Sequence, residues 1–210
     1  GLNRFVWDSR HSSLSGVPYA YIEGSFRGHK AIPGKYTLTL VVGETSYNSE
    51  FEILKNPNFS VSDEDYLDLD KYATHMENNF NEMAKYINSN KELMDKLGVL
   101  VKELDENPEV KENGKKLLEL MDNWDKKMMQ RMSKAYDDVE NFPNKFLADY
   151  LFILDEIKGD IPNVSEGILK SLKSHDEKWV ELKKEIDGIN QVSIPEYNKE
   201  LWSIGIGALN

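Results

Sequence analysis

From position 62 onward the apolar residues of this chain recur in steps of three, four and seven. Leu69, Tyr72, Ala73, Met76, Phe80, Met83, Ala84, Ile87, Met94, Leu97, Val101 and Leu104 then share one stripe of a helix running from Ser62 to about Leu104. Ser62 is the natural N-cap. Asp63, Glu64 and Asp65 fill the first turn, where carboxylates favour the positive end of the helix dipole, and Asp65 at N3 offers a weaker capping box. Unbroken, this helix is roughly 60 Å long. Asn88-Ser89-Asn90 is the point where it could bend or break.

Later stripes are shorter. Glu106-Asn107-Pro108 stops the long helix, and a second helix is expected from about Glu109 to Ala135, with Val110, Leu117, Leu118, Met121, Trp124, Met128, Met132 and Ala135 on one face. Its methionines and tryptophan could form an adaptable groove, but this spacing favours core packing. Asp137-Asp138-Val139-Glu140 lacks the alternating oxygens and glycine of a calcium loop and reads as a solvated turn. A third helix, with Pro143 early in it, carries Phe146, Leu147, Tyr150, Leu151, Ile153, Leu154 and Ile157 and stops at Gly159 and Pro162. In the fourth, Ser165, Ile168, Leu172, His175, Trp179, Leu182, Ile186 and Ile189 repeat like an a/d seam. From Pro195 a last turn or two could lay Leu201, Trp202 and Ile204 over an open end.

Ahead of position 58 the period changes from 3.6 to two. Tyr36, Leu38, Leu40 and Val42 share one face of a strand that follows the Pro33-Gly34 turn. Gly43-Glu44-Thr45 returns it through Tyr47, Phe51 and Ile53, with Asn48, Glu50 and Glu52 opposite. Leu2 to Asp8 reads as another strand, and Ser9 to Pro33, rich in Gly and Ser, as a long loop. The expected fold class is therefore α+β, mainly α: a small antiparallel immunoglobulin-like β module at 1–58, truncated because a full sandwich has about seven strands, then a long-helix four-helix bundle with a tail at 59–210. The opening at Gly1, with no methionine, is expected of a piece of a longer polypeptide. The truncated module should expose a β edge, to be covered by the Ser9–Pro33 loop or by a second copy in a homodimer.

Charge narrows the partners. Six basic and five acidic side chains leave residues 1–58 near neutrality, so essentially all of the net charge of -11 belongs to the helical part. That part is a poor candidate for nucleic acid or an anionic membrane. No apolar run approaches the roughly 20 residues of a membrane span, so no insertion is expected. Without cysteine there are no disulfides or thiolate metal sites.

Candidate chemistry is sparse. His11 and His29 lie in the loop, His75 on the long helix and His175 on the fourth-helix seam, and no two have the i, i+4 spacing of a helical zinc site. His175 reads as a core histidine held by a neighbour. The acids lie opposite the apolar stripes, where solvation accounts for them, and no Glu-x-x-His pair, nucleophile elbow or phosphate loop occurs. No catalytic residue, no metal ligand and no cofactor is expected. The weak candidates for ligand binding are the loop aromatics Tyr19, Tyr21 and Phe26.

Certain stretches carry a family resemblance. Gly1-Leu2-Asn3-Arg4-Phe5-Val6-Trp7-Asp8-Ser9-Arg10, then Ala31-Ile32-Pro33-Gly34-Lys35-Tyr36-Thr37-Leu38 and the hairpin after it, resemble the C-terminal region of bacterial sortilin-like BNR/Asp-box β-propeller proteins labelled glycosyl hydrolases. Asn56-Pro57-Asn58, Ser60 to Asp65, Asn141-Phe142-Pro143-Asn144-Lys145, Pro162 to Ile168 and Ile194-Pro195-Glu196-Tyr197-Asn198 are similar to it more diffusely. The resemblance implies a truncated Ig-like module plus helical bundle in a secreted, periplasmic or cell-surface protein, with the propeller, the rest of the parent chain, as partner. It brings no activity, since the Asp-box pattern Ser-x-Asp-x-Gly-x-Thr-Trp is not in these residues. The expected role is a non-catalytic accessory or interaction domain; the alternative is a carbohydrate-active module that contributes to glycan binding.

Overall fold

The computed structural model describes all residues except 136, 137, 139, 160 and 210. It is mainly helical with a small two-stranded antiparallel sheet, an α+β architecture. The order is β1 (Gly34–Val42), β2 (Thr45–Ile53), α1 (Asp63–Glu103), α2 (Pro108–Met128), α3 (Phe146–Ile157), α4 (Glu166–Gly188) and α5 (Ile194–Ser203). No helix among the described residues is long and apolar enough to cross a membrane.

The long helix α1 is the axis of the helical body. It opens on the capping box: Asp65 N–H donates to Ser62 Oγ at 3.1 Å, and Ser62 N–H donates to Asp65 Oδ2 at 2.7 Å. It does not break at Asn88-Ser89-Asn90. Both asparagines face outward from the helix spiral to bind other segments: Asn88 Nδ2 donates to the Gly16 carbonyl, and buried Asn90 Nδ2 to the Met121 carbonyl on α2. Phe80, Met83, Ile87 and Leu97 are fully buried against α2 and α3. Opposite them α4 meets α1 through long side chains, with Tyr86 edge-on to Trp179 and its hydroxyl donating to Asp187 at 2.7 Å. Trp124 of α2 is buried, and its indole N–H donates to the Leu182 carbonyl at 2.8 Å.

Several helix limits differ from expectation. α2 ends at Met128 rather than Ala135, because Met129 turns to extended backbone and Asp125 then holds the side chain of Arg131 as it leaves the helix. Met132 consequently stands exposed instead of on a buried stripe. α3 starts at Phe146, after Pro143 rather than through it. The run Asp137–Glu140, expected as a solvated turn, lies partly outside the described residues. α4 does not stop before a separate tail. It continues through one wide π turn, Ile189–Ser193, into α5, with Ile194 N–H donating five residues back to Ile189. Pro195 explains the widening, since its ring would otherwise press on the carbonyl of residue 191.

The β part departs furthest. Leu2 to Asp8 forms no strand. Of this stretch Trp7 packs at the base of the hairpin, its ring 6.2 Å from Tyr36 and 6.0 Å from Phe51, and Asp8 pairs with Arg27 at 2.6 Å. Among the described residues the sheet has two strands, in register Gly34↔Ile53 to Val42↔Thr45 around a two-residue turn. Gly43, at φ +61°, takes the first central position of that turn, where a type II′ hairpin requires positive φ. The Ser9–Pro33 loop does not cover the hairpin's edge. It lies as a strap on the helical body, where Leu14, Val17 and Ile22 are buried in the same apolar cluster as Phe80 and Leu151, and Phe26 meets Phe80 edge-on. Sequence pattern hid this because the strap's apolar residues follow neither period.

Candidate functional site

The strap doubles back on itself. Ala31 N–H donates to Ser9, His11 N–H to His29 and Leu14 N–H to Phe26, with an antiparallel bridge between Arg10 and Lys30. This pairing puts residue 11 directly opposite residue 29, and their imidazoles stack with centroids 3.9 Å apart and planes 15° from parallel. The two arms approach so closely at Gly28 that any Cβ there would run into the carbonyl oxygens of His11 and Ser12. Arg10 ties the same turn by donating to the Gly28 carbonyl at 2.9 Å.

Helix α1 supplies the other half. Asp70 and Glu77 are seven residues apart and so lie on one face two turns apart, with fully buried Ala73 between them leaving room for the strap. Glu77 is itself buried, and both its oxygens are engaged by His29: the backbone N–H donates to Oε1 at 2.7 Å and Nδ1 meets Oε2 at 2.9 Å. On the other side of the ring His29 Nε2 lies 3.1 Å from Asp70 Oδ1, and His11 Nε2 reaches the same oxygen at 3.7 Å. A carboxylate only accepts, and each ring nitrogen of His29 faces one, so with Glu77 and Asp70 ionised both nitrogens carry protons. Burial alone would pull the His29 imidazolium down; the hydrogen bonds it donates to Glu77 and Asp70, with their charges, outweigh burial and leave it raised. Tyr36 lies near enough that burial, and then the charge of Asp70, raise its phenol.

A cleft of about 160 Å³ opens beside this cluster. His29, Ile32, Ile53, Tyr66, Leu69 and Lys158 are among its walls. Lys158 is almost wholly buried; its ammonium donates to the Ser25 and Arg27 carbonyls at 2.8 and 3.1 Å, and Asp155 Oδ2 accepts from Ser25 N–H at 2.8 Å. The cation thus fastens the strap to α3.

The remaining candidates are dispersed. His75 Nε2 meets Asp176 Oδ2 at 2.7 Å, and Asp176 also accepts from Tyr150 and Asn79, a polar seam between α1, α3 and α4. Burial raises the Tyr150 phenol, with Asp176 adding to it. His175 is half-buried, not a core residue of an apolar seam: its ring stacks on Phe146 and Nδ1 lies 2.9 Å from the Ser171 carbonyl. Of the loop aromatics, Phe26 is taken into the body against Phe80, Tyr19 is exposed at positive φ, and Tyr21 is part-exposed near Met128 and Lys145. They are not brought together on one platform.

Sequence spacing missed the cluster of His11, His29, Asp70 and Glu77 because two members meet through cross-chain pairing in a segment without periodicity. One signal was available. Glu77 falls between Met76 and Phe80 on a buried stripe, and a carboxylate there requires a partner. Compared with known protein families, curated proteins and solved structures, the chain matches none.

Proposed function

We propose that this chain is a non-catalytic interaction module whose hairpin lays its apolar face on a β-rich partner. One observation carries the reading. Leu38, Leu40, Val42 and Tyr47 lie on a single face of the ribbon, each 54–59% exposed, and Trp7 packs on the rings at the base of that face. Two-stranded ribbons are marginal alone, and both strands here are edges whose outer N–H and C=O groups have no ladder partner in the sheet. A third strand or a facing sheet would satisfy both the polar edge and the apolar face.

Following the resemblance described above, the partner is the β-propeller of an exported sortilin-like BNR/Asp-box protein, with the ribbon as the remnant of an Ig-like module and the helices as a four-helix-bundle spacer. The acidic helical body fits a protein partner rather than nucleic acid. The test mixes the purified chain with a purified propeller of that type and follows amide exchange. Protection of residues 36–42 and 45–51 that disappears in a Leu38→Asp/Leu40→Asp variant, with helix exchange unchanged, supports the proposal. Unaltered hairpin exchange overturns it, as does protection that the chain acquires alone on concentration through self-association.

A further inference from the structure

We infer that His11 Nε2, His29 Nε2 and Asp70 form a binding site for one divalent ion of the zinc type, with Glu77 as the outer carboxylate that orients His29. The three donor atoms lie within 4.8 Å of one another. Two of the separations, 3.1 Å from His29 and 3.7 Å from His11 to the Asp70 oxygen, bracket the roughly 3.3 Å expected between neighbouring ligands of a tetrahedral zinc ion with bonds of about 2.0–2.1 Å. The ligand chemistry, two imidazoles and a carboxylate, suits zinc and its neighbours rather than calcium or magnesium.

The arrangement around the ligands is that of a built site. A metal-bound imidazole commonly donates its second ring N–H to a carboxylate, which fixes the tautomer and makes the other nitrogen more basic. Glu77 does this for His29, which is completely buried, and it takes the backbone N–H of the same residue as well. The ring of His29 is therefore held before any ion arrives. With the two carboxylates the local charge balances a dication, so burial of the ion beside His29 leaves no large uncompensated charge.

Binding an ion releases the Nε2 proton that His29 gives to Asp70, and it moves one ring. Parallel stacked imidazoles point their in-plane lone pairs side by side rather than at one point, so His11 must turn off the face of His29 to share an ion with it. Its side chain, 45% exposed and on the outer arm of the strap, has the space to do so. Asp70 is also part-exposed, so the fourth coordination position faces solvent. The physical consequence is a clamp: two ligands come from the strap and one from α1, so the ion would fasten the strap at the end closest to the hairpin. This site is independent of what the hairpin docks on.

The test is calorimetric titration of the full chain, freed of metal with EDTA, with Zn2+. One equivalent is expected to bind, and Co2+ should give the visible absorption of a nitrogen- and oxygen-ligated ion. His11→Ala and Asp70→Asn, both at accessible positions, should each weaken Zn2+ binding by about a hundredfold with the far-ultraviolet dichroism unchanged, and Glu77→Gln by about tenfold. His75→Ala and His175→Ala should leave it unaltered. Amide exchange should slow at residues 9–12 and 28–31 on adding Zn2+. Absence of one-equivalent binding, or a loss of less than about tenfold in either ligand variant, overturns the inference.

Discussion

The strap at residues 9–33 and the hairpin at residues 34–53 are neighbours in the chain, both free of helix and both carrying large apolar side chains, yet they end in opposite situations. The strap has Leu14, Val17 and Ile22 buried in the common core and is pinned by Asn81, Asn88, Glu77 and Lys158 along its length. The hairpin keeps its own ladder, but its apolar face is bare beyond Trp7. What separates them is the supply of complementary groups. The strap crosses α1 and α3 where these helices present polar side chains at the spacing of its backbone groups, while the hairpin meets the body only near its base, at Tyr36 and Ile53, among the described residues. Order in the first is intrinsic to the chain; the second has a finished shape and an unfinished surface.

Four experiments would break or sharpen that contrast. Phe80→Ala should have the largest effect. It removes a fully buried ring that underlies Phe26, and a loss of about 3–5 kcal/mol by denaturant unfolding is expected. Hairpin exchange should stay as it was while strap exchange rises. If both rise together, the two regions are one cooperative unit and the contrast fails.

Gly28→Ala comes next, at about 1–3 kcal/mol, because the new methyl meets backbone rather than a side chain that can move aside. The same variant should separate the His11 and His29 rings, which NMR ring-current shifts would report. Unchanged shifts would mean that the strap's arms have more freedom than their pairing indicates.

Tyr86→Phe should cost about 1 kcal/mol near neutral pH, since it deletes a hydroxyl donating to Asp187. It also probes alkaline stability. Burial first, then the hydrogen bond to Asp187, pushes the Tyr86 phenol up to about 12. The folded state thus favours the protonated form, a contribution complete below the unfolded value near 10 and lost as pH climbs from there towards 12. Melting temperatures between pH 9 and 12 should therefore fall less steeply in the variant. Equal slopes would remove Tyr86 from the account.

The smallest effect belongs to the hairpin. Leu38→Asp with Leu40→Asp should change the stability of the isolated chain by no more than about 0.5 kcal/mol, as at other exposed positions. A loss of several kcal/mol would mean that the face is already covered in solution by a second copy, which sedimentation at several concentrations would show.

Long-range order was legible wherever a period was sustained. The stripe from Leu69 to Leu104 and the Ser62 capping box fix α1, and alternation from Tyr36 to Val42 with Gly43 at the turn fixes the hairpin. The strand-like run from Leu2 to Asp8 misled, because a strand is made by its neighbour and this stretch pairs with none. The α2 stripe misled at its end for a related reason: Met132 keeps the helical phase, but the Asp125–Arg131 pair draws the chain away first. Of the strap and the histidine cluster only Glu77, a carboxylate on a buried stripe, left a trace in the sequence, since their partners are fixed by tertiary contacts between residues 18 to 133 positions apart.

The wide π turn between α4 and α5 acts as a phase shifter. An added residue in a helical path rotates everything beyond it by roughly 100° about the axis. Without that rotation Tyr197 and Leu201, both buried in the core, would face away from α2. The turn therefore behaves as a gear tooth. Deleting Gln191 would remove the extra residue and swing the last helix by roughly a quarter turn, carrying Tyr197 and Leu201 off the side that meets α2.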